Sequence, residues 1–223
     1  IADPANMEVD PYDLPQDSFL EKRAKEIRMD QARFPKASFP LDGGTVYLTT
    51  ADRRGMMVSF IQSNFSGFGS GIVDPQTGIS FQNRGQGFTL EAGHPNCVAG
   101  GKRPYHTIIP AFVTQNSLPL MSFGVMGGHM QPQGHVQMVL RIFDYGQNPQ
   151  AASDAPRWYV GEDQTVALES GMDDRVVDEL IRRGHRITTN EPTALFGGAQ
   201  LIAKLDEGYC AASDHRKDGQ AVG

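Results

Sequence analysis

The glycine pair Gly43-Gly44, followed at once by Thr45-Val46-Tyr47-Leu48-Thr49-Thr50-Ala51, splits the chain into two textures and sets what it can fold into. Downstream of it, β-branched and aromatic runs alternate with Gly-, Asn- and Asp-rich turns, the pattern of short strands and hairpins. Residues 46–51 read as a strand, Asp52-Arg53-Arg54-Gly55 as its turn, and residues 56–62 as the returning antiparallel strand. A glycine-rich loop, 63–71, precedes the turn Asp74-Pro75-Gln76-Thr77-Gly78 and a strand at 79–82, and a long polar segment covers 83–102. Residues 108–113 and 118–125 predict a second hairpin around Gln115-Asn116. A helix from Pro132 to Tyr145 follows Gly127-Gly128, with Val136, Val139, Leu140 and Phe143 as its apolar face. Asn148-Pro149 opens a short helix to Ala155, and 173–183 predicts another with Val176, Val177, Leu180 and Ile181 inward. Residues 199–204 and 209–212 close the chain as a last hairpin. Hairpins, helices and a hairpin predict an α+β fold with a mostly antiparallel sheet and helices packed on one face.

Upstream, residues 1–17 are rich in Asp and Pro and read as an irregular lead-in. Ser18-Phe19-Leu20-Glu21 fits a capping box, and Leu20, Ala24, Ile27 and Gln31 continue with helical spacing to about Arg33. Pro35 and Pro40 then string out a linker to the glycine pair. No apolar run approaches the ~18 residues of a membrane helix. The net charge of −6 comes without a basic stripe, so neither nucleic acid nor a membrane is an expected partner. Cys97 and Cys210 lie far apart without metal or redox spacing; they either pair or stand as idle thiols, and idle thiols favour a reducing compartment, the cytoplasm, with the periplasm left open.

Thr45 has two readings. It is the first residue of an ordinary strand, or it is a nucleophile freed by self-cleavage of the Gly44–Thr45 bond. A freed α-amine titrates near pH 7.7–8.0 and supplies the base that a threonine hydroxyl needs. Glycine before the bond allows backbone conformations that bring the hydroxyl to the preceding carbonyl. Gly127-Gly128, between a strand and a helix, is either a tight turn or a pair of amides suited to an oxyanion. His106, in Lys102-Arg103-Pro104-Tyr105-His106-Thr107, is a substrate-orienting candidate or a structural histidine. His94, His106, His129 and His135 match no zinc spacing, and the 63–71 loop lacks the glycine placement and the helix of a dinucleotide site.

Together, Thr45 with Asp52-Arg53-Arg54-Gly55, Phe68-Gly69-Ser70-Gly71-Ile72-Val73, Lys102-Arg103-Pro104, Gly127-Gly128, Asp144-Tyr145-Gly146, Ala155-Pro156-Arg157 and Ser213-Asp214-His215-Arg216 resemble the small subunit of the gamma-glutamyltransferase family of N-terminal-nucleophile hydrolases. The resemblance implies an αββα sandwich with mostly antiparallel sheets. Residues 1–44 would end the large subunit, residues 45–223 would form the small one, and the large subunit of the same precursor would be the partner. Thr45 would be the nucleophile, Ser63 its amine's hydroxyl partner, and Gly127 and Gly128 the oxyanion pair.

The family's carboxylate-binding serines correspond to His106 and Thr107, and its asparagine to Phe65, beside Asn64. The glutamine and aspartate that hold the donor's α-amine correspond to Arg84 and Gly87. Arg84 is then either a solvated loop residue or a cation for an anionic acyl group. That departure, with Asn83-Arg84-Gly85 and Met130-Gln131-Pro132-Gln133-Gly134-His135, resembles the cephalosporin acylase and oxamate amidohydrolase branch. The implied activity is hydrolysis of a small-molecule amide with an oxamate- or glutaryl-like acyl group, needing no metal or organic cofactor. Glutathione hydrolysis or γ-glutamyl transfer is the alternative activity, and an uncleaved binding module is the alternative outside catalysis.

Overall fold

The computed structural model describes residues 2–7, 9–32, 44–161 and 163–223. In chain order its elements are α1 (Asp17–Ala24), β1 (Gly44–Ala51), β2 (Met57–Phe65), β3 (Ala111–Gln115), β4 (Leu118–Met126), α2 (Met130–Val139), α3 (Pro149–Asp154), β5 (Trp158–Val160), β6 (Thr165–Leu168), α4 (Asp174–Arg182), β7 (Arg186–Thr188), β8 (Gly198–Lys204) and β9 (Tyr209–Ser213).

β1 and β2 form an antiparallel hairpin that pairs Thr45 with Ser63 and Thr49 with Ser59. Asp52 ties its turn, accepting the N–H groups of Arg54 at 2.8 Å and Met56 at 3.0 Å. A second, four-stranded antiparallel sheet runs in the order β3-β4-β8-β9. The strand period of two assigns β4 a different partner on each face. Met121, Phe123 and Val125 join Met138, Ala152, Ala199, Leu201 and Ala212 in the core under α2 and α3. Ser122 and Gly124 instead face the hairpin. The Ser122 hydroxyl meets that of Thr49, and Gly124 lies under the Tyr47 ring, so close that a Cβ there would be 2.5 Å from it. Hairpin, sheet and helices are thus stacked in layers, and each buried Met, Leu or Phe between them stabilises the stack by about 1.5–3 kcal/mol.

Arg157 and Asp214 are buried and paired at 2.6 Å. Arg216 bonds Glu169 at 2.6 Å and Asp214 at 3.1 Å, and Ala199 N–H donates to Asp214 at 2.7 Å. The Arg157 and Asp214–Arg216 motifs therefore clamp the C-terminal segment to β8. They build the scaffold.

Several sequence expectations are corrected. α1 begins after Gln16, which makes no side-chain cap, so Ser18 lies inside the helix and the capping box is not formed. The helix ends at Ala24, short of Arg33, while Pro35, Pro40 and Gly43 fall outside the described residues. The expected strand at 79–82 is only a bridge between Val73 and Ser80. α2 starts at Met130 and passes into a π-helical turn, Leu140–Asp144. It buries Met130, Gln131, Gly134, Gln137 and Met138, while Val136, Leu140 and Phe143 are exposed. Small and amide side chains let the helix approach the sheet more closely than the apolar stripe would. On α4, Val177 and Leu180 are half-buried and Val176 and Ile181 exposed. The small sheet β5-β6-β7, with its parallel β6–β7 pair, was not expected, because three- and four-residue strands carry too few residues to show a period. Cys97 and Cys210 are free thiols. Among the described residues no helix is long and apolar enough to cross a membrane.

Candidate active site

Thr45 stands near the start of β1, where the register with β2 shifts between Gly44 and Thr45. The Thr45 hydroxyl donates to Ser63 Oγ at 3.0 Å across the hairpin. Ser63 Oγ also accepts the Phe65 N–H at 2.8 Å, so the serine is oriented from behind. A cleft of about 380 Å³ opens beside Thr45, walled by β1, Met126, Gln200 and the C-terminal residues Lys217, Gly219 and Gln220. Deeper along the inner face of β1, the Tyr47 hydroxyl is bonded to Ser59 at 2.7 Å, and burial pushes its pKa up to about 12. Tyr47 therefore stays a neutral phenol beneath the threonine.

Met126 leads into Gly127 and Gly128, at φ 123° and 57°. Both angles lie in the region that favours glycine. Gly127 also touches Gly197, whose Cα lies 3.0 Å from where a Gly127 Cβ would stand. The carbonyls of Gly127 and Gly128 accept from Met130 at 3.0 Å and Gln131 at 3.1 Å. Their own N–H groups donate no hydrogen bond among the described residues. Two free amides at the N-terminus of α2 suit an anion.

Arg84 is only 2% exposed, which removes the reading as a solvated loop arginine. Its Nη1 donates to the buried Thr107 hydroxyl at 3.3 Å, and its guanidinium lies 5.1 Å from the Phe65 ring centre. Burial lowers its pKa, and no carboxylate pairs with it among the described residues. Phe65, at φ 76°, is a non-glycine residue in a costly conformation, held by the Ser63 bond on one side and the cation on the other. Arg84, Thr107 and Phe65 therefore meet, and Phe65 joins them to Ser63.

Other expected residues are placed differently. His106 is exposed and its Nδ1 bonds the Pro104 carbonyl at 2.8 Å. Among the described residues the Asn64 side chain reaches only Ser80, at 3.4 Å, while its carbonyl accepts from Asn83 N–H. His94 and His135 each accept a backbone N–H, from Asn96 and Val125, and His129 stacks on Tyr105. No group of three or more metal-ligating side chains occurs among the described residues. Asn83 was not singled out as a functional residue. Its side chain fastens the glycine-rich loop through Ser66 and Gly69, and the signal was the Asn-Arg-Gly run itself.

The stacked antiparallel sheets with helices on the far face are a mixed α/β fold of the N-terminal-nucleophile-hydrolase type. The chain belongs to the gamma-glutamyltranspeptidase family, which it matches over residues 1–223. It is 35% identical over 221 residues to a glutathione hydrolase-like proenzyme, YwrD, of Bacillus subtilis, covering 95% of this chain and 42% of that protein. It is 34% identical over 230 residues to the oxamate amidohydrolase proenzyme of Klebsiella pneumoniae, covering 100% of this chain and 43% of that one. The crystal structure of cephalosporin acylase from Bacillus halodurans superposes with a TM-score of 0.88 at 46% identity, over 99% of this chain and 40% of that chain. The chain thus spans about two-fifths of the length of these relatives.

Proposed function

We propose that the protein is a self-processing amidohydrolase with Thr45 as nucleophile, and that it acts on amides of an anionic acyl group. The observation that carries the reading is the Thr45–Ser63 hydroxyl pair at 3.0 Å beside the cleft, with two glycine amides at the strand–helix junction that donate to none of the described residues. In the precursor, Thr45 Oγ attacks the Gly44 carbonyl, and water hydrolyses the resulting ester to leave a Gly44 carboxylate and a free Thr45 amine. Residues 1–44 then end the large subunit and 45–223 form the small one, with the two remaining associated. In turnover the α-amine takes the hydroxyl proton as Oγ attacks the substrate amide carbon. The Gly127 and Gly128 amides hold the oxyanion, where one donor contributes about 3–4 kcal/mol. Collapse expels the amine with that proton, and water cleaves the acyl-enzyme. No metal or organic cofactor takes part.

Arg84 sets the acyl group. A buried guanidinium with no carboxylate partner among the described residues favours an anion that it can bond bidentately, as in an oxamate- or glutaryl-like donor. A γ-glutamyl donor would bring an ammonium toward it, and like charges ~4 Å apart repel by about 4 kcal/mol at an effective dielectric of 20. Two of the relatives' names, oxamate amidohydrolase and cephalosporin acylase, agree with acyl groups other than γ-glutamyl, while a third, glutathione hydrolase-like, fits the γ-glutamyl alternative. The free thiols suit the cytoplasm.

The test uses the full precursor. Thr45→Ala is expected to leave one uncut chain without amidase activity, and a cut elsewhere or an active variant refutes the assignment. Arg84→Ala is expected to lower kcat/KM for oxamate and a glutaryl anilide by tenfold or more while sparing γ-glutamyl-anilide. A wild-type preference for γ-glutamyl-anilide returns the protein to the glutathione-hydrolysing class.

A further inference from the structure

Helix α2 is fastened to the end of β4 by side chains that the acyl-transfer reading does not use. β3 stops opposite Phe123, so beyond the Ala111–Phe123 pair one edge of β4 has no strand beside it among the described residues. The other edge is held by β8, which pairs Val125 with Ala199 and Met126 with Gly198. The Val125 N–H is taken by His135 Nε2 at 3.0 Å. The imidazole lies against Phe123, with ring centres 4.9 Å apart. Gly134, one residue earlier, lets the helix come so close that a Cβ there would stand 2.6 Å from Val125 Cγ1.

Two residues past Val125 lies Gly127. Its turn is closed on the helix side by the Met130 and Gln131 N–H groups and walled by Gly197. Among the described residues, the His135 bond is the one side-chain hydrogen bond onto residues 125–128. Gln131, one helical turn earlier, accepts the Ile109 N–H at 3.0 Å, so the same helix face also holds the segment that carries Thr107. The first turns of α2 thus set the spacing between the glycine amides and the Arg84–Thr107 pair.

We infer that His135 is a positioning residue for the Gly127–Gly128 oxyanion turn, its neutral imidazole accepting the Val125 N–H and so setting where the two glycine amides point. The inference rests on the acyl-transfer reading above. Only a neutral ring has an acceptor nitrogen, and accepting at Nε2 puts the proton on Nδ1. Burial lowers the pKa of His135 to about 4, and no charged side chain of β4, β8 or α2 pairs with the ring among the described residues. The acceptor is therefore present at neutral pH.

The test compares His135→Leu, His135→Gln and His135→Asn in the full precursor, assayed with oxamate and a glutaryl anilide. Leucine keeps apolar packing and has no acceptor. Glutamine places an oxygen near the position of Nε2, and asparagine places one too short to reach Val125. The expected result is a kcat lowered by tenfold or more for leucine and asparagine, with KM within about twofold, and near-wild-type kcat for glutamine. Where leucine does not fold, the contrast between glutamine and asparagine decides. Equal losses in glutamine and asparagine, or a loss confined to KM, overturn the positioning role, as does a folded leucine variant with wild-type kcat. Wild-type amidase activity that survives Thr45→Ala refutes the acyl-transfer reading itself, and this role with it.

Discussion

Asp214→Asn keeps the shape of a buried side chain and removes its charge. Arg157, Arg216, Glu169 and Asp214 form a set with no net charge, and the Arg157 and Asp214 side chains are 1% and 0% exposed. The substitution leaves one positive charge uncompensated beside a contact of 2.6 Å. An ion pair at about 4 Å is worth about 4 kcal/mol at an effective dielectric of 20, and breaking a buried pair from one side costs about 3–5 kcal/mol. Asparagine also weakens the bond from Ala199 N–H, 2.7 Å in length, that starts β8 on its register. Against a typical stability of about 5–15 kcal/mol, the loss is large.

Urea unfolding of the full-length protein, followed by circular dichroism, is expected to show a loss of about 3–5 kcal/mol. The double variant Arg157→Met with Asp214→Leu is expected to lose less than the sum of its single changes, because neither partner is orphaned. Burial pushes the Asp214 carboxyl up, but the charge of Arg157 and the N–H groups of Ala199 and Arg216 outweigh it and leave it below its ordinary value. The wild type therefore holds this stabilisation above about pH 4 and loses it as the pH falls through the lower folded value, a dependence the asparagine variant lacks. A loss below about 1 kcal/mol for Asp214→Asn would refute the reasoning, since it would mean that water or relaxation already screens the pair.

Gly197 has φ 71° and ψ −155°, and a Cβ there would stand 2.1 Å from the Met126 carbonyl oxygen, so Gly197→Ala is expected to displace the Gly127 turn. A stability loss of about 1–3 kcal/mol and a fall in kcat should accompany it, read by thermal melting and initial rates, and unchanged values contradict the placement. His135 is expected to make stability fall as pH drops from 6.5 toward about 4, because the unfolded chain takes up the proton first. The fall is about 3 kcal/mol at most, measured by unfolding across that range, and His135→Gln should remove it.

The hairpins were legible in the sequence because a strand declares itself locally, through alternation and turn residues such as Asp52 and Gly55. α3 and α4 were equally clear, with Asn148 and Asp173 as their caps. Thr45 and Gly127-Gly128 stood out by type and position. What remained illegible was decided by contacts between distant residues. Whether Arg84 was solvated or buried depended on Thr107 and Phe65, residues that only the folded chain sets around it. The buried face of α2 followed from a fit between Gly134 and Val125, and not from its apolar stripe. His135, one histidine among six, became a strand-edge acceptor because β3 stops short and, among the described residues, leaves the Val125 N–H without a strand partner. Sequence determines local preferences for strand, turn and cap, each set within a few residues. Burial, charge pairing and the use of a lone backbone donor are properties of the packed structure, because each depends on which distant surface takes the place of water.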